Sequence, residues 1–195
     1  FLKRQFWYSK NRKMFFSTYN RDHADWYTSW QVFLEDQYST SFLNNSLVES
    51  SSKHKEISIH YQEILRNGCT PLIIDCGSNS GASSIYFSLT FPQSKIIALE
   101  IDEGNYLHSL ENINLSNIKV ESHHKGISSM DGFGHFIDPG LGNNAYRIEV
   151  KDDPKNSVEL LSINTILEGL NPEKRIIPFI AKIDIEGGED DLFNK

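Results

Sequence analysis

The ten residues Leu72-Ile73-Ile74-Asp75-Cys76-Gly77-Ser78-Asn79-Ser80-Gly81 constrain the fold of this chain more than any other stretch. An apolar run enters an acidic residue, a glycine follows two positions later, and a second glycine four positions after that. This D-x-G-x-x-x-G pattern reads as a strand turning into a helix. Gly77 permits a tight turn where a side chain would obstruct a ligand, and Gly81 lets the helix begin close to the sheet.

From that turn onward strands and helices alternate. The expected order is a strand over 72–76, a helix over 81–91 stopped by Pro92, a strand over 95–101, a helix over 103–114 and a strand over 118–123. Such a β-α-β-α-β order implies a parallel sheet with right-handed crossovers. The glycine-bearing stretch 125–158 breaks the period and reads as a β-ribbon insertion, with 134–137 set against 145–150. A helix is expected over 160–170. The nearly all-apolar run 176–185 reads as a fourth parallel strand buried on both faces, with a helix starting at 187.

Residues 1–68 read as a helical N-terminal extension, and 69–195 as the main domain. The extension holds all three tryptophans, and Trp26, Trp30, Phe33 and Leu34 fall at helical spacing. The polar stretch 44–55 reads as a loop. Ile57, Tyr61, Ile64 and Leu65 then mark one face of a helix that Asn67-Gly68 ends.

Charge and composition narrow the function. The net charge of −7 disfavours a nucleic-acid partner, whose affinity rests largely on neutralising phosphates. No apolar run reaches the roughly 18 residues of a membrane span, so none is expected. Cys69 and Cys76 form no C-x-x-C pair and no metal spacing, which fits a reducing, cytoplasmic location without a bound metal. Lys3, Arg4, Lys10, Arg12 and Lys13 make a basic start. It reads as a solvated face, with an acidic glycan or a membrane surface as the alternative.

Glu100 ends the second strand, 23 positions after Gly77. An acid about 20 residues past such a turn accepts hydrogen bonds from ribose hydroxyls. Both features lie at carboxyl ends of adjacent parallel strands, where open α/β sheets bind ligands, so a nucleoside-containing ligand is expected. A dinucleotide fingerprint would be G-x-G-x-x-G, its second glycine clearing space for pyrophosphate. Asn79 holds that position here. The pattern therefore favours S-adenosylmethionine, which has no pyrophosphate but carries a sulfonium and an α-ammonium that Asp75 can stabilise directly or through water. The expected cofactor residues are Asp75, Gly77, Ser78, Asn79, Gly81, Glu100 and Ile127. Further on, Lys182, Asp184 and Glu186 alternate onto one side of the fourth strand. Three charges ending a buried strand need partners or a wet cleft, and Asp184 and Glu186 are the candidate catalytic bases. His123 and His124 end the third strand, and His135 lies in the insertion. Trp26, Tyr27, Trp30 and Tyr38 are candidates to shape an acceptor site, with helix packing as the plainer role for each.

The segments Ile74 to Gly81, Ala98-Leu99-Glu100, Leu110-Glu111-Asn112-Ile113-Asn114-Leu115 and above all Lys182-Ile183-Asp184-Ile185-Glu186-Gly187-Gly188-Glu189 resemble the FkbM family of S-adenosylmethionine-dependent methyltransferases. Trp30-Gln31-Val32-Phe33 followed by Tyr38 also resembles a segment upstream of the domain in that family. Ile101 departs from the family, in which proline commonly follows the acid. The resemblance implies an α/β fold with a Rossmann-like, doubly wound, mostly parallel sheet of the class I methyltransferase type. It also implies S-adenosyl-L-methionine as cofactor and O-methylation of a hydroxyl on a sugar, glycan or natural product. Four parallel strands fall short of the seven of such a sheet, so the C-terminal strands are expected to be missing. Three other readings stay open: an RNA methyltransferase, a non-enzymatic nucleoside-binding or partner-docking module, and a nicotinamide dehydrogenase. The charge and the lack of an N-P-P-Y-type tetrad disfavour the first, and Asn79 disfavours the last. The acceptor and the oligomeric state are not readable from the sequence.

Overall fold

A computed structural model describes residues 3–9, 14–35, 37–38, 50–137, 147–150, 157–170, 175–185 and 189–193. The chain opens with an antiparallel hairpin, β1 (Lys3–Ser9) against β2 (Met14–Asn20), followed by α1 (His23–Phe33) and α2 (Ser50–Arg66). The extension is therefore only partly helical. Its first twenty residues hold a hairpin, and α2 begins inside the stretch expected to be a loop. Asp22 caps α1, accepting the Asp25 backbone N–H at 3.0 Å.

The alternating unit follows as β3 (Thr70–Cys76), α3 (Ala82–Thr90), β4 (Lys95–Glu100), α4 (Glu103–Leu115) and β5 (Glu121–His124). Next come β6 (Gly126–Ile127), β7 (Gly132–Ile137), β8 (Arg147–Val150) and β9 (Val158–Leu161). The chain ends with α5 (Ile163–Glu168), β10 (Ile176–Ile183) and α6 (Glu189–Phe193). The main sheet has the order β10-β3-β4-β5 with every pair parallel, an α/β, Rossmann-like architecture. The expected ribbon exists as β7 paired with β8, from Gly134 opposite Val150 to Ile137 opposite Arg147. It is larger than expected, because β9 and β6 extend it to a four-stranded sheet. Leu160 and Leu161 belong to β9, so the following helix is shorter than the periodicity suggests.

Side-chain alternation gives the main sheet two cores. Leu72, Ile74, Cys76, Ile97 and Leu99 pack on one face with Ile127 and with Ile166 of α5. Ile73 and Ile96 pack on the other under Phe87 of α3. Each such fully buried aliphatic side chain contributes about 1.5–3 kcal/mol. The strand β10 is not buried on both faces as its apolar sequence suggests. It lies at the edge of the described sheet, and Ile177, Pro178 and Ala181 are exposed. Its register against β3 shifts between Pro178 and Ile180, and Phe179 leaves the ladder to pack on Tyr61 of α2 and on Phe91.

The hairpin is fixed from its inner face and one edge. Trp7 and Phe16 join Phe33 of α1 and Ile85 and Leu89 of α3 in a third core. Along the edge, the Tyr19 backbone N–H donates to Asn112 Oδ1 at 2.6 Å, and Ser116 Oγ donates to the Ser17 carbonyl at 3.2 Å.

Candidate functional site

The strand order places the first strand of the unit, β3, between β4 and β10, so the direction of winding reverses between β3 and β10. Ligands of open α/β sheets bind at such a reversal, outside the carboxyl ends of the strands. A cavity of about 310 Å³ lies there. Gly77, Ser78 and Asn79 of the turn after β3 line it, with Glu100 at the end of β4 and Ile101 after it, Ile127 of β6, and Lys182 and Asp184 at the end of β10. Thr28, Gln31 and Val32 of α1 and Tyr38 close the remaining side.

The turn after β3 is built by close approach. Gly77 has φ +76°, and a Cβ there would sit 2.0 Å from the Asp184 carbonyl oxygen. Only glycine lets the two strand ends meet at this distance. The Gly77 and Ser78 N–H groups both donate to the Leu99 carbonyl, at 2.9 and 3.0 Å. Gly81, the cap of α3, has φ +81°, and its absent side chain leaves room for Ser109 of α4.

Glu100 closes this turn from the neighbouring strand. Its Oε2 accepts the Asn79 N–H at 2.7 Å and its Oε1 accepts the Asp102 N–H at 3.0 Å. Burial pushes its carboxyl above the usual range, and the two N–H groups offset only part of that. Glu100 nevertheless lines the cavity, where the remaining lone pairs of its two oxygens can accept from a ligand.

Asp75 occupies a different place from the one expected. It is fully buried and absent from the cavity wall. Its Oδ2 accepts from Ser83 Oγ at 2.7 Å and Ser84 Oγ at 2.6 Å, both in the first turn of α3. Its Oδ1 lies 3.3 Å from Lys182 Nζ, an ion pair off hydrogen-bond alignment. Lys182 donates to the Gly77 carbonyl at 2.6 Å and stands 3.5 Å from Asp184 Oδ2. Burial works against the lysine charge, but Asp75 and Asp184 prevail and hold its pKa above the ordinary value. Asp75 thus supports the turn and anchors Lys182 from beneath the cavity. Gly81 likewise lies behind the wall.

Of the expected cofactor residues, Gly77, Ser78, Asn79, Glu100 and Ile127 meet on the cavity. Asp184 is exposed on its rim, and Glu186 lies outside the described residues. His124 stacks on Tyr106 and contacts the Ile101 carbonyl at 2.9 Å, and His123 contacts Glu121 at 3.1 Å. Neither lines the cavity, and the His135 side chain lies outside what is described. Burial pushes the Cys76 thiol up to about 12, which leaves it unreactive.

Sequence reasoning missed Asn105, which lines the cavity and ties it to the extension. Arg21 Nη2 donates to Asn105 Oδ1 at 2.6 Å and to Asp25 Oδ1 at 3.0 Å. His108 Nε2 lies 3.2 Å from Asp25 Oδ2. Burial raises the Asp25 carboxyl, but the bonds from His108 and Arg21 win and hold it well below the carboxylate range. The D-x-x-N spacing of Asp102 and Asn105 was the available signal, since Asp102 accepts the Asn105 N–H at 2.7 Å as a helix cap.

No family model matches the sequence. No curated protein matches it either. Among solved structures, the chain is similar to the crystal structure of Methyltransferase FkbM from Methylobacillus flagellatus KT, at 18% identity and a TM-score of 0.41. The match covers 63% of this chain, which spans about 28% of that protein's length.

Proposed function

We propose that the chain binds S-adenosylmethionine in this cavity and transfers its methyl group to a hydroxyl of a sugar, glycan or natural product. The observation that carries this reading is the position of the Glu100 carboxylate. It takes the Asn79 N–H, in the turn where a dinucleotide fold presents N–H groups to pyrophosphate. A phosphate within about 4 Å of that carboxylate meets roughly 4 kcal/mol of repulsion at an effective dielectric near 20. A ligand that pairs ribose hydroxyls with a positive charge meets attraction instead. The cavity cations do not cancel this preference, because Lys182 is held by Asp75 and Asp184, and Lys125 by Glu159 at 2.8 Å.

The residues present fit such a group. Glu100 accepts from the ribose, the Gly77–Asn79 turn leaves room for the nucleoside, and Ile127 gives the cavity an apolar wall. When bound, the cofactor supplies a methyl carbon made electrophilic by its sulfonium. The chain's own part is to hold an acceptor oxygen in line and to remove its proton. Orientation alone supplies roughly 7–11 kcal/mol in favourable cases. Asp184 is the base of this reading, with Glu186 as the sequence-based second candidate. Lys182, 3.5 Å from Asp184 Oδ2, positions the carboxylate.

Titration calorimetry with S-adenosylmethionine, followed by transfer of labelled methyl to a panel of sugars, tests the reading. Binding is expected in the parent and lost in Glu100→Ala, and Asp184→Asn is expected to lower turnover more than affinity. Tighter binding of a nicotinamide dinucleotide than of S-adenosylmethionine would sink it.

A further inference from the structure

We propose that the outer face of the β1–β2 hairpin docks onto the surface of an anionic lipid bilayer. This surface is separate from the cavity and does not depend on the function proposed above.

The hairpin register sorts its side chains onto two faces. Trp7 and Phe16 point inward to the core, and Arg4, Phe6, Tyr8 and Phe15 point outward. Phe6 is 70% exposed, Phe15 73% and Tyr8 51%. Three exposed aromatics on one face of a two-stranded ribbon form an apolar patch that a solitary exposed residue does not. The charge pattern is as uneven as the aromatic one. The first 20 residues contain five Lys and Arg and no Asp or Glu, in a chain whose net charge is −7. The chain's basic end is therefore its aromatic end. Apolar rings among basic side chains are the combination that inserts at a headgroup boundary, with the charges drawn to acidic lipids.

The ring arrangement favours a bilayer over a stacked polymer. Tyr8 and Phe15 lean on each other with centroids 4.9 Å apart and planes at 51°, and the Arg4 guanidinium sits 5.2 Å over the Phe6 ring. Single-stranded nucleic acid needs open ring faces on which to stack bases. These rings are engaged with their neighbours and form a wedge. Among the described residues no helix is long and apolar enough to cross a membrane, so the contact proposed is peripheral.

The test is co-sedimentation of the chain with vesicles of phosphatidylcholine alone, and with vesicles in which about one lipid in three is phosphatidylserine. Binding is expected only to the acidic vesicles, and it should weaken as salt rises from roughly 0.05 to 0.5 M. Lys3→Ala and Arg4→Ala should each weaken it by about 5-fold. Phe6→Ser with Phe15→Ser should weaken it by more than about 10-fold, with the thermal midpoint unchanged because both side chains are exposed. No binding to acidic vesicles, equal binding to neutral ones, or binding indifferent to the Phe pair would overturn the proposal. So would a dimer that the Phe pair dissociates, which would assign the face to a second copy. Tighter binding of a single-stranded RNA lost in the same variants would assign it to nucleic acid and equally overturn the proposal.

Discussion

Replacing Gly77 by alanine tests whether the cavity depends on the contact between the turn and the end of β10. The added Cβ would lie 2.0 Å from the Asp184 carbonyl oxygen and 3.1 Å from its carbon. Both are backbone atoms, so no side chain can swing away. Ordinary contact requires an opening of about 1.4 Å, because packed interiors leave no slack to absorb it. That opening breaks the Asp184 N–H bond to the Cys76 carbonyl at 3.2 Å and the Lys182 bond to the Gly77 carbonyl at 2.6 Å. A neutral bond is worth about 1 kcal/mol net and one to a charged group about 1.5–3 kcal/mol. A side chain at φ +76° adds about 1–2 kcal/mol. The expected loss is about 3–6 kcal/mol, a large part of the 5–15 kcal/mol typical of a domain. Two other glycines serve as controls in urea unfolding followed by circular dichroism. At Gly68, φ +68° with only Arg175 Nη1 at 3.9 Å, alanine meets the conformational cost alone, about 1–2 kcal/mol. At Gly132 nothing lies within 4 Å, and the change should stay within about 0.5 kcal/mol. Equal losses at Gly77 and Gly68 would refute the reasoning, since the steric part would then be nil.

Three further outcomes are expected. Asp25→Asn should cost about 3 kcal/mol, because Arg21 and His108 lose a buried anion. The Asp25 carboxyl is held below its ordinary 3.8, so its stabilisation is present above that pH and lost as pH falls further; acid titration of parent and variant should differ there. Glu100 carries the opposite sign: its carboxyl is raised above 4.5, so the parent should lose stability relative to Glu100→Gln as pH rises through the raised value, while nucleoside affinity measured by calorimetry should strengthen over the same range. Finally, Lys182→Met strands the buried Asp75 carboxylate and should cost about 3–5 kcal/mol. Adding Asp75→Asn should recover part of that loss, and strict additivity of the two in urea unfolding would argue against the pair.

The β3-α3-β4-α4-β5 core was legible because each element carries its own local signal. Leu72 to Ile74 is an apolar run, Gly77 and Gly81 mark the turn, Pro92 follows the end of α3, and Asp102 caps α4. Once these elements alternate, topology alone brings Glu100 and Asp184 to the same end of the sheet. The hairpin was not legible, because Phe6-Trp7-Tyr8 and Phe15-Phe16 place aromatics on both faces and blur the alternation that marks a strand. Val158 to Leu161 is too short to distinguish strand from helix by period. The position of Asp75 depends on partners in other elements: two hydroxyls on the next helix and an ammonium on β10, more than a hundred residues on. The all-apolar run of β10 resembles a central strand, and nothing in its composition reveals that it lies at the edge of the described sheet.

The extra residue at Phe179 has a consequence for charge. Side chains alternate along a strand, so inserting one residue reverses which face every later side chain takes. Before the shift Ile176 and Pro178 stand opposite Thr70 and Leu72; after it Ile180 and Lys182 stand opposite Ile73 and Asp75. In an unbroken count Lys182 would face the apolar α5 side, and Asp75 would be left without a cation. Phe179 therefore acts as a phase marker, and the Lys-x-Asp pattern has chemical meaning only when counted from it. Deleting Phe179 would remove the bulge and keep Lys182 opposite Asp75, whereas drawing Phe179 into an unbroken ladder would exchange the two sides of the strand after it.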